Sequence, residues 1–177
     1  MEDSRLMTGM FRDRDSAERA YECLMSRGYT EDDVTLLMSD ESRRRLFADD
    51  QDSKLGSKAA EGVGIGAVIG GGLGAVLAGL AAAGVIALPG IGLLAMGPVA
   101  AALAGGAAGA VSGGIVGALI GAGIPEERAR RYDEGIRAGN IVMGVTPMSK
   151  EDADYLEREW RNCRAEEIYR PSWREAA

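Results

Sequence analysis

A long stretch without a single charged side chain interrupts the hydrophobic and polar pattern of this chain. Between Gly62 and Pro125, sixty-four consecutive residues include no Asp, Glu, Lys or Arg and consist almost wholly of Gly, Ala, Val, Ile and Leu. Small residues recur in it every four positions, and residues four apart lie on one face of a helix. Pro89 and Gly90 break the pattern near its middle. We therefore predict a Gly/Ala-rich helical hairpin over residues 59–124, with its turn at residues 88–92.

The glycine stripes of the two predicted arms form a candidate helix-packing interface. A stripe with almost no side chain lets two helix backbones approach closely. Because Gly costs about 0.5–1 kcal/mol relative to Ala inside a helix, such a surface needs a covering partner. The predicted glycine zipper packs the two arms antiparallel through Gly62, Gly66, Gly70 and Gly74 of the first arm and Gly105, Gly109, Gly113, Gly117 and Gly121 of the second.

The segments on either side of the apolar stretch have the pattern of two βαβ units. Residues 6–11 and 34–38 read as strands around a helix that Asp13, Asp15 or Ser16 can cap and that ends at Gly28. Residues 140–146 and 165–170 read as strands around a helix capped by Ser149. The predicted fold class is α+β: a split ferredoxin-like βαβ-βαβ domain, interrupted by the hairpin, with helices on one face of its sheet.

This pattern divides the chain into three parts. Residues 1–58 hold the first half of the split domain and a polar linker, residues 59–124 the apolar hairpin, and residues 125–177 a linking helix and the second half. The linking helix begins at Pro125, a favoured residue in a first helical turn. Gly135 in that helix lies outside the glycine stripes, and we expect Ala to be tolerated there.

The passage from the hairpin to the second half carries a family resemblance. Residues 123–127 read Gly-Ile-Pro-Glu-Glu and lead through Tyr132 and Gly139 to the strand at 141–145. This arrangement resembles the bacterial general stress protein 17M-like (heat-induced stress protein) domain family, with similarity from Met7 to Tyr169. The resemblance implies a bacterial stress-response protein that is often membrane-bound, and it brings no catalytic residues.

The length and flanks of the hairpin favour membrane insertion. Crossing about 30 Å of hydrocarbon takes about 20 helical residues, and the arms at 62–88 and 93–124 are long enough. Basic residues flank both ends and predict that these ends face the cytoplasm: Lys54, Lys58, Arg128, Arg130 and Arg131. The expected location is the inner membrane, with transmembrane helices, lipid as a partner and both termini cytoplasmic.

A second interpretation keeps the hairpin away from lipid. Gly and Ala dilute the bulky apolar residues of both arms, and neither end carries a Trp or Tyr belt. The alternative is a soluble cytoplasmic homo-oligomer whose hairpins share a buried core. Homo-oligomerisation is expected in either case, and the sequence names no other protein partner. A third alternative, a regulatory domain that senses a small ligand, rests on fold analogy alone.

Composition argues against several classes of chemistry. Asp and Glu outnumber Lys and Arg by 27 to 20, which argues against nucleic acid as a partner. The chain has no His, and Cys23 and Cys163 have no zinc-site spacing. The Gly-rich string at 64–70 lacks the preceding strand and following acidic residue of a dinucleotide site. We therefore predict a non-enzymatic protein with no catalytic, cofactor-binding or metal-binding residues.

Overall fold

The computed structural model describes residues 6–39, 41, 42, 45, 86–88, 93–96, 115–117, 119–121 and 123–170. A 3₁₀ turn at Glu31–Asp33 precedes the second strand. The helices and strands in chain order are β1 (Met7–Phe11), α1 (Arg14–Ser26), β2 (Val34–Ser39), β3 (Ile86–Leu88), β4 (Leu93–Met96), α2 (Glu126–Arg137), β5 (Ile141–Val145), α3 (Lys150–Asn162) and β6 (Glu166–Tyr169).

The described strands form one six-stranded sheet in the order β3-β4-β2-β5-β1-β6, and every pair is antiparallel. The predicted α+β class is confirmed. Strands from the two halves of the chain alternate at its centre. Val145 of β5 lies opposite Met7 of β1 on one side and Val34 of β2 on the other. Each half therefore depends on the other for its strand partners.

Local sequence explains where α1 and α3 begin. The Asp13 carboxylate accepts a hydrogen bond from Ser16 N at 2.8 Å at the start of α1. Ser149 Oγ accepts one from Asp152 N at 3.0 Å at the start of α3. Each side chain satisfies a backbone N–H that the helix leaves unpaired. Gly28 follows α1 with a φ of 97°, as expected for a glycine that ends a helix.

Helices cover both faces of the sheet, so the prediction of helices on one face holds for α1 and α3 but not for α2. α1 and α3 pack on the face that carries Met7, Leu36 and Met143. α2 and the helical residues 115–117 and 119–121 pack on the face that carries Leu37 and Val142. Successive strand residues point to opposite faces. In these strands the residues that point to each of the two faces are apolar, so both faces of the sheet must pack against other elements.

Part of the predicted helical hairpin is β-structure. β3 and β4 pair with each other from Leu88 opposite Leu93 to Ile86 opposite Ala95, and β4 pairs in turn with β2. The chain thus reverses at the predicted turn. The prediction of continuous helical arms over 62–88 and 93–124 is wrong at these residues, because the backbone groups of β2 bind β4 in the sheet. Most of the remaining arm residues lie outside the described ranges.

The predicted transmembrane helices are contradicted by this pairing. A membrane hairpin would hold its tip across the bilayer from both halves of the split domain. Instead, Leu93 and Met96 lie opposite Ser39 and Leu36 of β2, within the same sheet. Within the described ranges, no helix combines the length and the apolar character that crossing a membrane requires.

Gly135 of α2 is buried beside Met10 of β1, which bears on the expectation that Ala is tolerated there. A Cβ at this position would overlap Met10 Sδ. Overpacking costs about 1–3 kcal/mol, and Ala recovers about 0.5–1 kcal/mol in a helix. Because Sδ lies near the flexible end of the Met10 side chain, Met10 can shift, and we expect Gly135→Ala to lower the free energy of unfolding by about 1 kcal/mol or less in urea titrations.

Gly121→Ala is the matched control for this substitution. Gly121 is helical, and a Cβ there meets nothing within 4 Å. Ala at this position is expected to leave stability unchanged or to raise it by up to about 1 kcal/mol. An equal loss of stability in both variants would show that the contact with Met10 is not the cause.

Candidate functional site

The outer edge of β3 is the first candidate functional surface, and we call it the apolar edge. An edge strand presents a row of unpaired N–H and C=O groups that can bind another strand. In the described part of the sheet, no strand lies beyond β3. Its sequence is Ile-Ala-Leu, and the nearest charged residue in the sequence is more than twenty positions away. The apolar edge therefore has none of the charges that commonly protect such strands.

The opposite edge of the sheet, β6, is protected in two ways. Its sequence begins with Glu166 and Glu167, and Arg12 Nε pairs with Glu166 Oε1 at 2.8 Å. Its pairing with β1 shifts register between Thr8 and Met10. Charges and irregular pairing both disfavour the addition of another strand. The two edges of this sheet thus differ in their capacity to pair.

The predicted glycine interface falls mostly outside the described residues. Gly62, Gly66, Gly70, Gly74, Gly105, Gly109 and Gly113 all lie there. Gly117 and Gly121 belong to the helical residues that cover the second face of the sheet; Gly117 is half-buried and Gly121 is exposed. The glycine zipper therefore stays a prediction.

A second candidate surface is a cleft of about 190 Å³ between the start of α2 and β6, which we call the arginine cleft. Its walls are formed by Pro125, Glu127, Arg128, Arg131 and Tyr169.

Glu167 binds both arginines of the arginine cleft. Arg131 Nη1 donates to Glu167 Oε1 at 2.9 Å, and Arg128 Nη1 donates to Glu167 Oε2. Arg131 Nη2 also donates to Glu127 Oε1 at 3.1 Å. The two positive charges therefore face two negative charges, and the cluster is neutral.

The backbone of Glu167 is strained. Its φ is 50°, in the left-handed region that residues with a Cβ rarely adopt. Such a conformation costs about 1–3 kcal/mol and persists only where neighbouring groups hold it. Tyr132 is one such group, because its hydroxyl donates to Glu167 O at 2.7 Å and lies 2.8 Å from Thr8 Oγ1. Burial raises the pKa of Tyr132 to about 12, so this phenol stays protonated and holds the strand in place.

A third polar cluster joins the end of α1 to the start of α3. Arg27 Nε donates to Asp152 Oδ1 at 2.6 Å, and the Tyr29 hydroxyl donates to Asp152 Oδ2. Met148 N donates to Tyr29 Oη at 3.0 Å. The Arg27 guanidinium also lies 4.4 Å from the centre of the Tyr155 ring, a cation–π distance. We call this the Arg27–Tyr29–Asp152 cluster.

The electrostatics of this cluster favour an ionised carboxylate and a neutral phenol. Burial alone would raise the pKa of Asp152, but the hydrogen bonds from Tyr29 and Arg27 outweigh it and lower the pKa below its ordinary value of 3.8. Burial and the bond to Asp152 raise the pKa of Tyr29 to about 12. Neither group is suited to proton transfer near neutral pH. The cluster therefore has a structural role: it holds the end of α1, in the first half of the chain, to the start of α3, in the second half.

The cysteines do not form an activated nucleophile. Cys23 is half-buried, and its thiol donates to Tyr155 Oη at 3.8 Å. Burial raises the pKa of both Cys23 and Cys163, which keeps the unreactive thiol form. In the part of the chain that the structure describes, no group of three or more acidic, Cys or His side chains could hold a metal ion. The predicted absence of catalytic and metal sites stays a prediction.

Comparison with known proteins finds no matching family model, no matching curated protein and no matching solved structure. The resemblance to the stress protein family therefore stays a prediction.

Sequence reasoning missed the arginine cleft. The sequence pattern placed Arg128, Arg130 and Arg131 at the flank of a membrane segment and Glu167 within the last predicted strand, at residues 165–170. The only local signal was the spacing of Arg128 and Arg131, which lie on one face of α2. Their shared partner is more than thirty residues away in the chain, so no local pattern could have found it.

Proposed function

We propose that this chain is a non-enzymatic interaction protein that assembles with copies of itself through the apolar edge. One observation carries the proposal: the uncharged insertion adds two strands to the sheet, and β3, the last strand on that side among the described residues, has an entirely apolar sequence. This is the predicted alternative of a soluble homo-oligomer, now based on strand pairing. A role in bacterial stress responses is proposed as well, on the Gly-Ile-Pro-Glu-Glu passage alone.

We propose a ferredoxin-like arrangement for the domain that carries this edge. The order β2-β5-β1-β6, with all neighbours antiparallel, supports this assignment. The packing of α1 and α3 on one face of the sheet supports it as well. In this arrangement the insertion lies between the second and third strands of the split domain. The β3–β4 hairpin then extends the sheet beyond its usual four strands.

A second copy of the chain is the partner that suits the apolar edge best. Two identical edges can pair antiparallel about a two-fold axis, so that each satisfies the backbone groups of the other. Such pairing places uncharged residues opposite uncharged residues. The other edge of the sheet is charged and irregular, which leaves β3 as the edge suited to pairing. Because β4 is bound to β2 in the same sheet, we propose the cytoplasm as the site of assembly.

Measuring the mass of the full-length chain in detergent-free buffer tests this proposal. Light scattering after size exclusion is expected to give at least two 18.5 kDa chains per particle. Ala87 pairs with Leu94 at the centre of β3. Since Lys on an edge strand blocks pairing with another strand, Ala87→Lys is expected to shift the particle to a single chain.

Met148→Lys is the matched control, because Met148 is 62% exposed and lies outside the sheet. It makes the same gain in charge and is expected to leave the mass unchanged. Circular dichroism then verifies that both variants are folded. A monomeric wild type, or a folded Ala87→Lys variant with the wild-type mass, would overturn the proposal.

A further inference from the structure

The arginine cleft combines an open volume with two guanidinium groups on one wall. Arg128 and Arg131 lie one turn apart on α2, and their side chains are 31% and 52% exposed. Arg forms paired hydrogen bonds with carboxylate and phosphate groups, and its planar group presents five donors. Within the part of the chain that the structure describes, contacts with Glu167 and Glu127 use three of the ten donors that the two side chains offer. Donors therefore remain for a further anionic group.

Glu167 occupies the position at which such a group would bind. Its carboxylate bridges Arg128 and Arg131, with one oxygen on each. Its backbone is held separately, by Tyr132 and by pairing of the neighbouring residues with β1. The side chain is 27% exposed, so it can rotate away from the arginines without unfolding of β6. A ligand that displaces this carboxylate would meet two positive charges and the single negative charge of Glu127.

We infer that the arginine cleft binds a small anionic molecule through a carboxylate or phosphate group, and that Glu167 holds this position when the ligand is absent. The walls suit a molecule with a polar end and a flat or apolar part. Arg128 and Arg131 bind the anionic group, while Pro125 and the Tyr169 ring provide apolar contact. This site is independent of the proposed assembly, because β6 and the apolar edge lie at opposite ends of the sheet.

Isothermal titration of the full chain with pyrophosphate and with citrate tests the inference and separates phosphate from carboxylate ligands. The wild type is expected to bind at least one of the two probes. Glu167→Gln removes the competing negative charge with little change of shape, and we expect it to tighten binding about tenfold. Arg131→Gln is expected to weaken binding about tenfold, because it removes a charged donor.

Arg130→Gln is the matched control for Arg131→Gln. Arg130 precedes Arg131 on the same helix and pairs with Glu126 at 2.6 Å, outside the cleft. It changes the net charge equally and is expected to leave the affinity unchanged. Two outcomes would overturn the inference: no binding of either probe by the wild type and Glu167→Gln, or equal weakening in the Arg130 and Arg131 variants. Light scattering on the same samples reports assembly separately.

Discussion

Trp160→Ala is expected to lower the free energy of unfolding by about 4 kcal/mol, the middle of the range for removing a buried aromatic side chain. Trp160 lies on α3, is completely buried and packs edge-on against Phe11 of β1, with the ring centres 5.9 Å apart. It thereby joins the second half of the chain to the first. A loss of this size approaches the whole stability of a small domain. Urea titration followed by circular dichroism measures it.

Gly9 provides a sharper test of the same contact. A Cβ at Gly9 would lie 2.9 Å from Trp160 Cε3 and 3.2 Å from Cζ3. Because the indole is rigid and enclosed, we expect Gly9→Ala to cost about 2 kcal/mol. Trp160→Phe leaves more space beside Gly9. Gly9→Ala should therefore lower the free energy of unfolding less in the Trp160→Phe variant than in the wild type. Equal costs in both backgrounds would show that the Gly9 backbone does not limit the position of the indole.

Asp152→Ala is expected to lower the free energy of unfolding by about 3 kcal/mol, because it leaves Tyr29 and Arg27 without their shared acceptor. Asp152 is 6% exposed and belongs to the Arg27–Tyr29–Asp152 cluster. Partial exposure of Arg27 keeps the expected loss at the lower end of the range for a buried ion pair. Thermal unfolding of purified protein measures the effect.

Glu151→Ala is the matched control for this substitution. Glu151 is exposed and adjoins Asp152 in the first turn of α3. Glu151→Ala removes only a favourable interaction with the helix N-terminus, which should lower the free energy of unfolding by about 0.3–1 kcal/mol. Equal losses in the two variants would indicate that helix-end electrostatics, and not the buried cluster, account for the change.

The contribution of Asp152 should also depend on pH in a defined direction. Its pKa is below 3.8 in the folded chain, so the folded state favours the ionised form. The stabilisation is therefore fully present above pH 3.8 and is lost as the pH falls through the lowered pKa. The stability difference between wild type and Asp152→Ala should narrow only in that acid range. A difference that narrows between pH 7 and pH 5 would contradict this account.

The main local features of the two halves could be predicted from the sequence. Ser149 identified the start of α3, the candidates Asp13, Asp15 and Ser16 placed the start of α1 within a few residues, and Gly28 marked the end of α1. These signals act over one helical turn, through hydrogen bonds to adjacent backbone groups or through a permitted positive φ. Residues adjacent in the sequence are therefore enough to fix these helix starts and ends.

The strands within the insertion could not be predicted in the same way. A short apolar run such as residues 93–96 fits a buried helix or a buried strand equally well. The choice depended on β2, more than fifty residues earlier in the chain, whose backbone groups bind β4. The periodic glycines around this segment favoured a helix by local pattern, and a long-range partner decided otherwise at the described residues.

The contacts of the arginine cleft were hidden for a related reason. Arg128 and Arg131 have local acidic neighbours on α2, and Glu127 does pair with Arg131. The decisive partner is Glu167, which reaches them because β6 lies beside β1, near the start of α2. Charge spacing identifies contacts within a helix, whereas a bridge between a helix and a distant strand requires the assembled sheet.

The sequence by itself determined that this chain is α+β, that two βαβ segments flank an uncharged insertion, and close to which residues their helices begin. Only the tertiary structure decided that the segments interleave, that helices cover both faces and that the tip of the insertion extends the sheet. The physical reason is the range of the interactions. Helix caps and helix-terminating glycines depend only on contacts within a few residues. Strand order and edge pairing depend on backbone groups that become neighbours only when the whole sheet forms.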